Sequence, residues 1–274
     1  MRTFPDLSEQ ITKVAPVNPT TLQRARDEVL NTRVDWVAEY GDYQSGGWWT
    51  ASLLNASGDP SDVVIRDCAA RSTSLLTRLP RLAALIEELD LDIMWARVAR
   101  LAPNSFLWEH VDYAELGAHE RYRLHIPLLT CESAYLGIGG ARVHLSPGHI
   151  WRLTPTFPHG VCNFYGPDRI HVIIDCYATG SYHQLVKNAG QAAFPAAQLP
   201  PLPPPDLDRF LSTARDLIEL GYERSAHLSL LRLFFRYSLA AGGCYDLIAG
   251  LYDSLRRGSE AQEWRERKTR MLAT

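Results

Sequence analysis

Between about residues 92 and 178 the sequence breaks into short runs rich in Val, Ile, Leu and aromatics. Turn signals interrupt them at Pro103-Asn104, Gly139-Gly140, Pro147-Gly148 and Gly166-Pro167. Repeated short strands at that spacing predict an all-β sandwich or barrel. Helical patterns flank this stretch. Asn18 and Pro19 form a cap and first-turn pair that opens a helix over 18–31. A second helix is expected over 69–79, continuing after Pro80 as RLAALIEEL. The segment WVAEYGDYQSGGWWTASLL between them reads as a loop entering a strand. Six prolines between 195 and 205 predict a stiff extended connector, since proline disfavours helix and holds the chain extended. Beyond it, DLDRFLSTARDLIEL, RSAHLSLLRLFFRYSLAA, CYDLIAGLYDSLRR and SEAQEWRERKTRML carry apolar residues at helical spacing, enough for three or four helices. The expected organisation is N-terminal helices and a β core over 1–194, a linker over 195–206 and a helical region over 207–274.

Composition narrows the class. Hydrophobic residues are 46% and charged residues 22%, an ordinary globular balance that excludes a disordered chain, a coiled coil or a collagen-like rod. No apolar run approaches the roughly 18 residues of a membrane span. The opening MRTFPDLSEQITK lacks the apolar stretch of a signal peptide. A net charge of −3 provides no basic footprint for nucleic acid. The five cysteines (68, 131, 162, 176 and 244) are odd in number, dispersed and without a CxxC pair, so they are expected reduced and the protein cytoplasmic.

The chemical signal is His110-Val111-Asp112, followed later by His159. In a strand, residues i and i+2 face the same way, so His110 and Asp112 can both project into a barrel lumen. A second imidazole from a later strand would complete two histidines and a carboxylate on one side of a metal. That facial set leaves other positions open and suits non-haem Fe(II) working with O2 and a chelating cosubstrate. Neighbouring strands extend the pattern. In RIHVIID, Arg169, His171, Ile173 and Asp175 share one face; in RYRLHIPLL, Arg123 and His125 do; in MWARVARL, Arg97 sits with Trp95 and Ala99. If those faces look inward, the lumen is cationic and each buried cation needs an anion. A 2-oxoglutarate dianion and a substrate carboxylate are anions of suitable size, and arginine meets carboxylates with a bidentate fork. His171 and Asp175 are also readable as support for the groups around them.

With these residues in view, the sequence resembles the aspartyl/asparaginyl β-hydroxylase-like family of Fe(II)/2-oxoglutarate dioxygenases, and within it the bacterial L-proline hydroxylases. The matching stretches are WARVARLAPNSFLWEHVDYAEL, YRLHIPLL, GHIWRLTPTFPHG and DRIHVIIDCY, with a fainter echo in EYGDYQSGGWWTASLLNASG. The ten-residue step from His159 to Arg169 is a specific part of the likeness. The resemblance implies a mainly β core, a cupin-like double-stranded β-helix (jelly roll), flanked by N-terminal helices and a C-terminal helical region. It implies iron held by His110, Asp112 and His159, with Arg169 on the distal carboxylate of 2-oxoglutarate. Arg123 and His125 would contact 2-oxoglutarate or the substrate carboxylate, and Trp151 and Arg97 would line the same cavity. Asp112 is informative, because the protein-modifying β-hydroxylases and the halogenating relatives lack that carboxylate. Its presence favours hydroxylation, with 2-oxoglutarate decarboxylated to succinate, and a compact aromatic pocket with two arginines suits a small free amino acid, proline, pipecolate or a similar imino acid above all. A peptide- or carrier-bound amino acid as substrate, and a non-redox cupin, are the alternatives.

Tyr40, Tyr43, Trp48 and Trp49, beside glycines able to hinge, are candidates for a lid or substrate wall, or for packing on the barrel's outer face. YAELGAHER, after Asp112, is a second candidate for the cavity entrance. The C-terminal helices are candidates for closing the cavity, for a homodimer interface or for covering the sheet; the last is expected for most of their surface.

Overall fold

Strand alternation sorts the β-rich stretch into two facing antiparallel sheets. The computed structural model describes residues 7–112, 120–187 and 194–273. In the larger sheet the strand order is β1 (Ile11–Pro16), β10 (His149–Leu153), β7 (Arg121–Leu129), β12 (Arg169–Tyr177), β5 (Ile93–Leu101), β3 (Trp48–Asn55) and β2 (Val37–Ala38), with β4 (Arg71–Ser72) also on β3. The smaller sheet runs β13 (Ala196–Gln198), β9 (Ala141–Val143), β8 (Ala134–Ile138), β11 (His159–Asn163) and β6 (Ser105–His110). This is the expected jelly-roll core.

Helices cover both outer faces. On the larger sheet, α2 (Pro19–Asn31) and α4 (Pro80–Glu87) pack Leu22, Ala25, Val29, Leu82, Leu85 and Ile86 against Val98, Ile126, Val172 and Ile174. Each fully buried aliphatic side chain of this kind contributes about 1.5–3 kcal/mol. The short helices α3 (Ser74–Thr77) and α5 (Gly180–Val186) add Leu75, Leu76 and Tyr182 to the same cluster, and α1 (Leu7–Gln10) leads into β1. On the smaller sheet, α6 (Pro204–Glu219), α7 (Glu223–Leu231), a 3-10 turn (Arg232–Phe235), α8 (Gly243–Ser254) and α9 (Gly258–Leu272) cover Phe106, Trp108 and Cys162. A third apolar cluster, with Trp48, Leu101, Leu107, Ile138, Leu153 and Ile173, lies between the sheets.

Asn18 caps α2 as expected: its side chain accepts from the Thr20 and Thr21 amides. The helix expected over 69–79 shrinks to the single turn of α3. Arg71 and Ser72 pair with β3, Thr73 caps the turn by accepting from the Leu76 amide, and Leu79 leaves helical geometry ahead of Pro80, the first residue of α4. The proline segment is extended but tied down. Ala196–Gln198 pairs with β9, the Ser238 amide donates to the Pro200 carbonyl at 2.8 Å, and Pro204 starts α6. All five cysteines are free. Among the described residues no helix is long and apolar enough to cross a membrane.

Candidate active site

The smaller sheet carries the three candidate metal ligands. His110 ends β6 and His159 begins β11; the two are register partners, with ring centroids 4.5 Å apart. The strand ends sooner than the i, i+2 argument assumed. Asp112 lies beyond β6 and reaches the site from the next turn, where its amide donates to the Pro155 carbonyl at 2.8 Å. One ligand atom from each of His110, Asp112 and His159 falls within 4.8 Å of the others. Each histidine Nε2 is 3.7 Å from an Asp112 oxygen.

Backbone contacts set the tautomers. His110 Nδ1 lies 2.8 Å from the Trp108 carbonyl and His159 Nδ1 lies 2.9 Å from the Phe157 carbonyl. A carbonyl can only accept, so Nδ1 carries the proton and Nε2 presents its lone pair to the shared point. Burial pushes the His110 imidazole down, and burial together with His110 pushes His159 down to about 3. Both are therefore neutral near pH 7, the form that binds metals. Burial alone would raise the Asp112 carboxyl, but the Arg123 guanidinium beside it holds it well below the carboxylate range. Two imidazole nitrogens and one carboxylate converge, and that donor set fits ferrous iron.

The larger sheet faces them with cations. One cross-sheet row runs Trp151, His125, Ile173, Arg97 and Ser52, so these side chains share the inward face. Arg97, Arg123, His125 and Arg169 line one cavity together with His110, Asp112, His159, Tyr40 and Trp48. Tyr43 lies against its edge, its ring 4.6 Å from that of His110 and 4.9 Å from that of Tyr40. Tyr40 has a φ of 61°, a left-handed conformation uncommon for a bulky residue and often found where function imposes strain. Trp151 is buried but is not among the lining residues. Its Nε1 donates to the Ser146 carbonyl at 3.0 Å and its ring packs on Phe194. Most of the YAELGAHER candidate entrance, residues 113–119, lies outside the described residues.

Asp175, read from sequence only as support, is the hub of this charged wall. It accepts from Arg97 Nη1 at 2.8 Å, from Arg123 Nε at 2.7 Å and from Arg123 Nη2 at 3.2 Å. Arg123 Nη1 reaches on to Asp112. The Arg97 guanidinium also lies over the Trp95 ring at 3.7 Å. The alternation of RIHVIID signalled the face Asp175 occupies; its two arginine partners come from strands it meets only in the folded sheet.

Arg169 differs from both. It is 2% exposed and has no hydrogen bond or ion pair among the described residues, and burial pulls its guanidinium down to about 9. Both ring nitrogens of His125 are likewise buried without partners, and burial beside Arg169 holds that imidazole neutral. His171, its ring 5.8 Å from His125, is fully buried with both nitrogens unpartnered, though it does not line the cavity. Arg169 and His125, which face the cavity, fit an anion such as 2-oxoglutarate.

Known proteins share this sequence in part. An L-proline cis-4-hydroxylase of Rhizobium meliloti (strain 1021) is 27% identical over 235 residues, covering 83% of this chain and 82% of the relative. An L-proline cis-3-hydroxylase 2 of a Streptomyces species is 25% identical over 220 residues, 76% of each. Among solved structures, a Pseudomonas putida prolyl-4-hydroxylase shows 15% identity at a TM-score of 0.40, over 64% of this chain and 96% of that one. The family model described as aspartyl/asparaginyl beta-hydroxylase matches residues 20–179, a span that holds every residue lining the cavity. With more than half of its length inside that match, the chain belongs to the aspartyl/asparaginyl β-hydroxylase family.

Proposed function

We propose that this protein is a ferrous iron- and 2-oxoglutarate-dependent dioxygenase that hydroxylates an unactivated C–H bond of a small free L-amino acid, proline, pipecolate or a similar imino acid above all. The observation that carries the reading is Arg169, a buried cation without a partner among the described residues, in one cavity with the His110, Asp112 and His159 donors. His110, Asp112 and His159 hold the iron. Arg169 pairs with the distal carboxylate of 2-oxoglutarate, with His125 beside it. When bound, iron and 2-oxoglutarate supply activation of O2 coupled to decarboxylation to succinate.

Charge counting supports these roles. Iron at +2, Asp112 at −1 and 2-oxoglutarate at −2 sum to −1, which Arg169 offsets. Asp175 at −1 against Arg97 and Arg123 leaves +1 for the substrate carboxylate. Arg123 is occupied by Asp175 and Asp112, so that carboxylate falls to Arg97, whose Nε has no partner. Tyr40, Tyr43 and Trp48 orient the substrate's apolar part and exclude water.

A pocket lined by Tyr40 and Trp48 beside Arg97 supports a free amino acid over a peptide. The free cysteines support a reducing, cytoplasmic compartment. We read 195–206 as the connection between the oxygenase core and the helical region over 207–274, with Ala196–Gln198 paired to β9 and Pro204 already opening α6.

The test is a panel of free amino acids supplied with ferrous iron, 2-oxoglutarate, ascorbate and air. Succinate and a product one oxygen atom heavier are followed by mass spectrometry. Both should appear with at least one imino acid and vanish in His110→Ala and Asp112→Ala. Full turnover by Asp112→Ala would overturn the ligand assignment.

A further inference from the structure

The chain on either side of His110 is tied to the C-terminal helices as well as to its own sheet. β6 is the edge strand of the smaller sheet. Its pairing with β11 shifts register between Val161–Leu107 and His159–His110, so the ladder is interrupted beside the histidine. An interrupted ladder leaves backbone groups to be satisfied by other partners. Here α8 and α9 provide them. The Tyr245 hydroxyl, fully buried, donates to the Glu109 carbonyl at 2.5 Å. The Gly242 amide, at the start of α8, donates to the Glu109 carboxylate at 3.0 Å. The Val111 amide donates to the Met271 carbonyl at the end of α9 at 2.8 Å. Residues 109 and 111 are thus both tied to the helical region, with His110 between them.

We infer that the C-terminal helical region is a positioning element of the metal centre, with Tyr245 and the last turn of α9 fixing the backbone that aims His110. This rests on the iron reading above. The region is more than a cover for apolar surface: it sets how well the His110 ring is preorganised to meet a metal. Groups that orient a metal ligand typically change metal affinity by 10–100-fold when removed.

Tyr252 is the matched control. It lies on the same helix and is equally buried, but its hydroxyl meets His227 Nε2 at 2.7 Å and not β6. Ferrous iron is titrated anaerobically into wild type, Tyr245→Phe, Tyr252→Phe and His110→Ala by calorimetry, with melting temperatures recorded without metal. Tyr245→Phe should bind iron about tenfold more weakly while Tyr252→Phe binds as wild type, although both melt lower. Glu109→Leu, which cuts the tie to Gly242, should weaken binding in the same direction and serves where the tyrosine variant folds poorly. Equal affinity in wild type and both tyrosine variants, or an equal loss in both, overturns the inference. Wild type that takes up no more iron than His110→Ala overturns the iron reading itself, and this is seen before any tyrosine variant is compared.

Discussion

Asp175 and Arg97 form a salt bridge of 2.8 Å in which both side chains are sealed from solvent, at 0% and 1% exposure. The pair joins β12 to β5 on the inner face of the larger sheet. Asp175→Asn keeps the shape and removes the charge, leaving Arg97 buried without its anion. Breaking a buried pair from one side costs about 3–5 kcal/mol. Urea denaturation should show a loss of that order. A variant within about 0.5 kcal/mol of wild type would mean the pair is neutralised by something else.

Arg169 predicts the opposite sign for stability and for binding. Among the described residues the guanidinium is buried without an anion, so it costs folding energy that a ligand would offset. Arg169→Met should raise the melting temperature of the ligand-free protein. It should also weaken 2-oxoglutarate binding by about 2–5 kcal/mol, roughly 30-fold or more. Paired thermal melts and 2-oxoglutarate titrations check both halves. A variant that melts lower and still binds 2-oxoglutarate normally would remove Arg169 from its assigned role.

His227 carries a pH dependence remote from the candidate ligands. It packs between Tyr252 and Trp264, and burial pushes its imidazole down to about 4 from the ordinary 6.5. Between those two values the unfolded chain takes up a proton that the folded chain excludes. Stability therefore falls as pH drops through that window, and the contribution of His227 is fully present above it. His227→Gln removes this dependence. Moving from about pH 7.5 to about pH 5, the wild-type melting temperature should fall further than that of the variant. Parallel curves would show that the histidine titrates normally.

Two glycines give a steric contrast. A Cβ on Gly160, next to His159, would sit 2.9 Å from the Leu107 carbonyl oxygen and 3.1 Å from the Phe234 and Phe235 rings. Gly160→Ala must shift the Leu107 backbone of β6 as well as the aromatic 3-10 turn and should cost about 1–3 kcal/mol. Gly250, inside α8, has no such neighbour within 4 Å. Gly250→Ala should therefore stabilise by roughly 0.5–1 kcal/mol. Chemical denaturation of the two variants settles the comparison, and a neutral Gly160→Ala would show that the aromatic turn can yield.

Covalent geometry alone made part of this molecule readable. The two-residue period of a strand placed Arg169, His171, Ile173 and Asp175 on one face of β12. In the fold Ile170, Val172 and Ile174 pack under the helices, while Arg169, Ile173 and Asp175 point at the cavity or its charged wall. The α2 cap at Asn18 and the proline at the start of α4 were legible for the same reason, since each depends on a few adjacent residues. Other features depend on partners far away in the chain. The strand carrying His110 stops at His110, so a turn and the Pro155 carbonyl place Asp112. The helix expected over 69–79 gives way because Arg71 and Ser72 find hydrogen bonds on β3. Asp175 selects Arg97 and Arg123, Arg169 is left without an anion among the described residues, and Tyr245 reaches back 136 positions to Glu109. Periodicity says which way a side chain points; which strand or helix it then meets is decided by sheet order and burial, and those exist only once distant segments have packed.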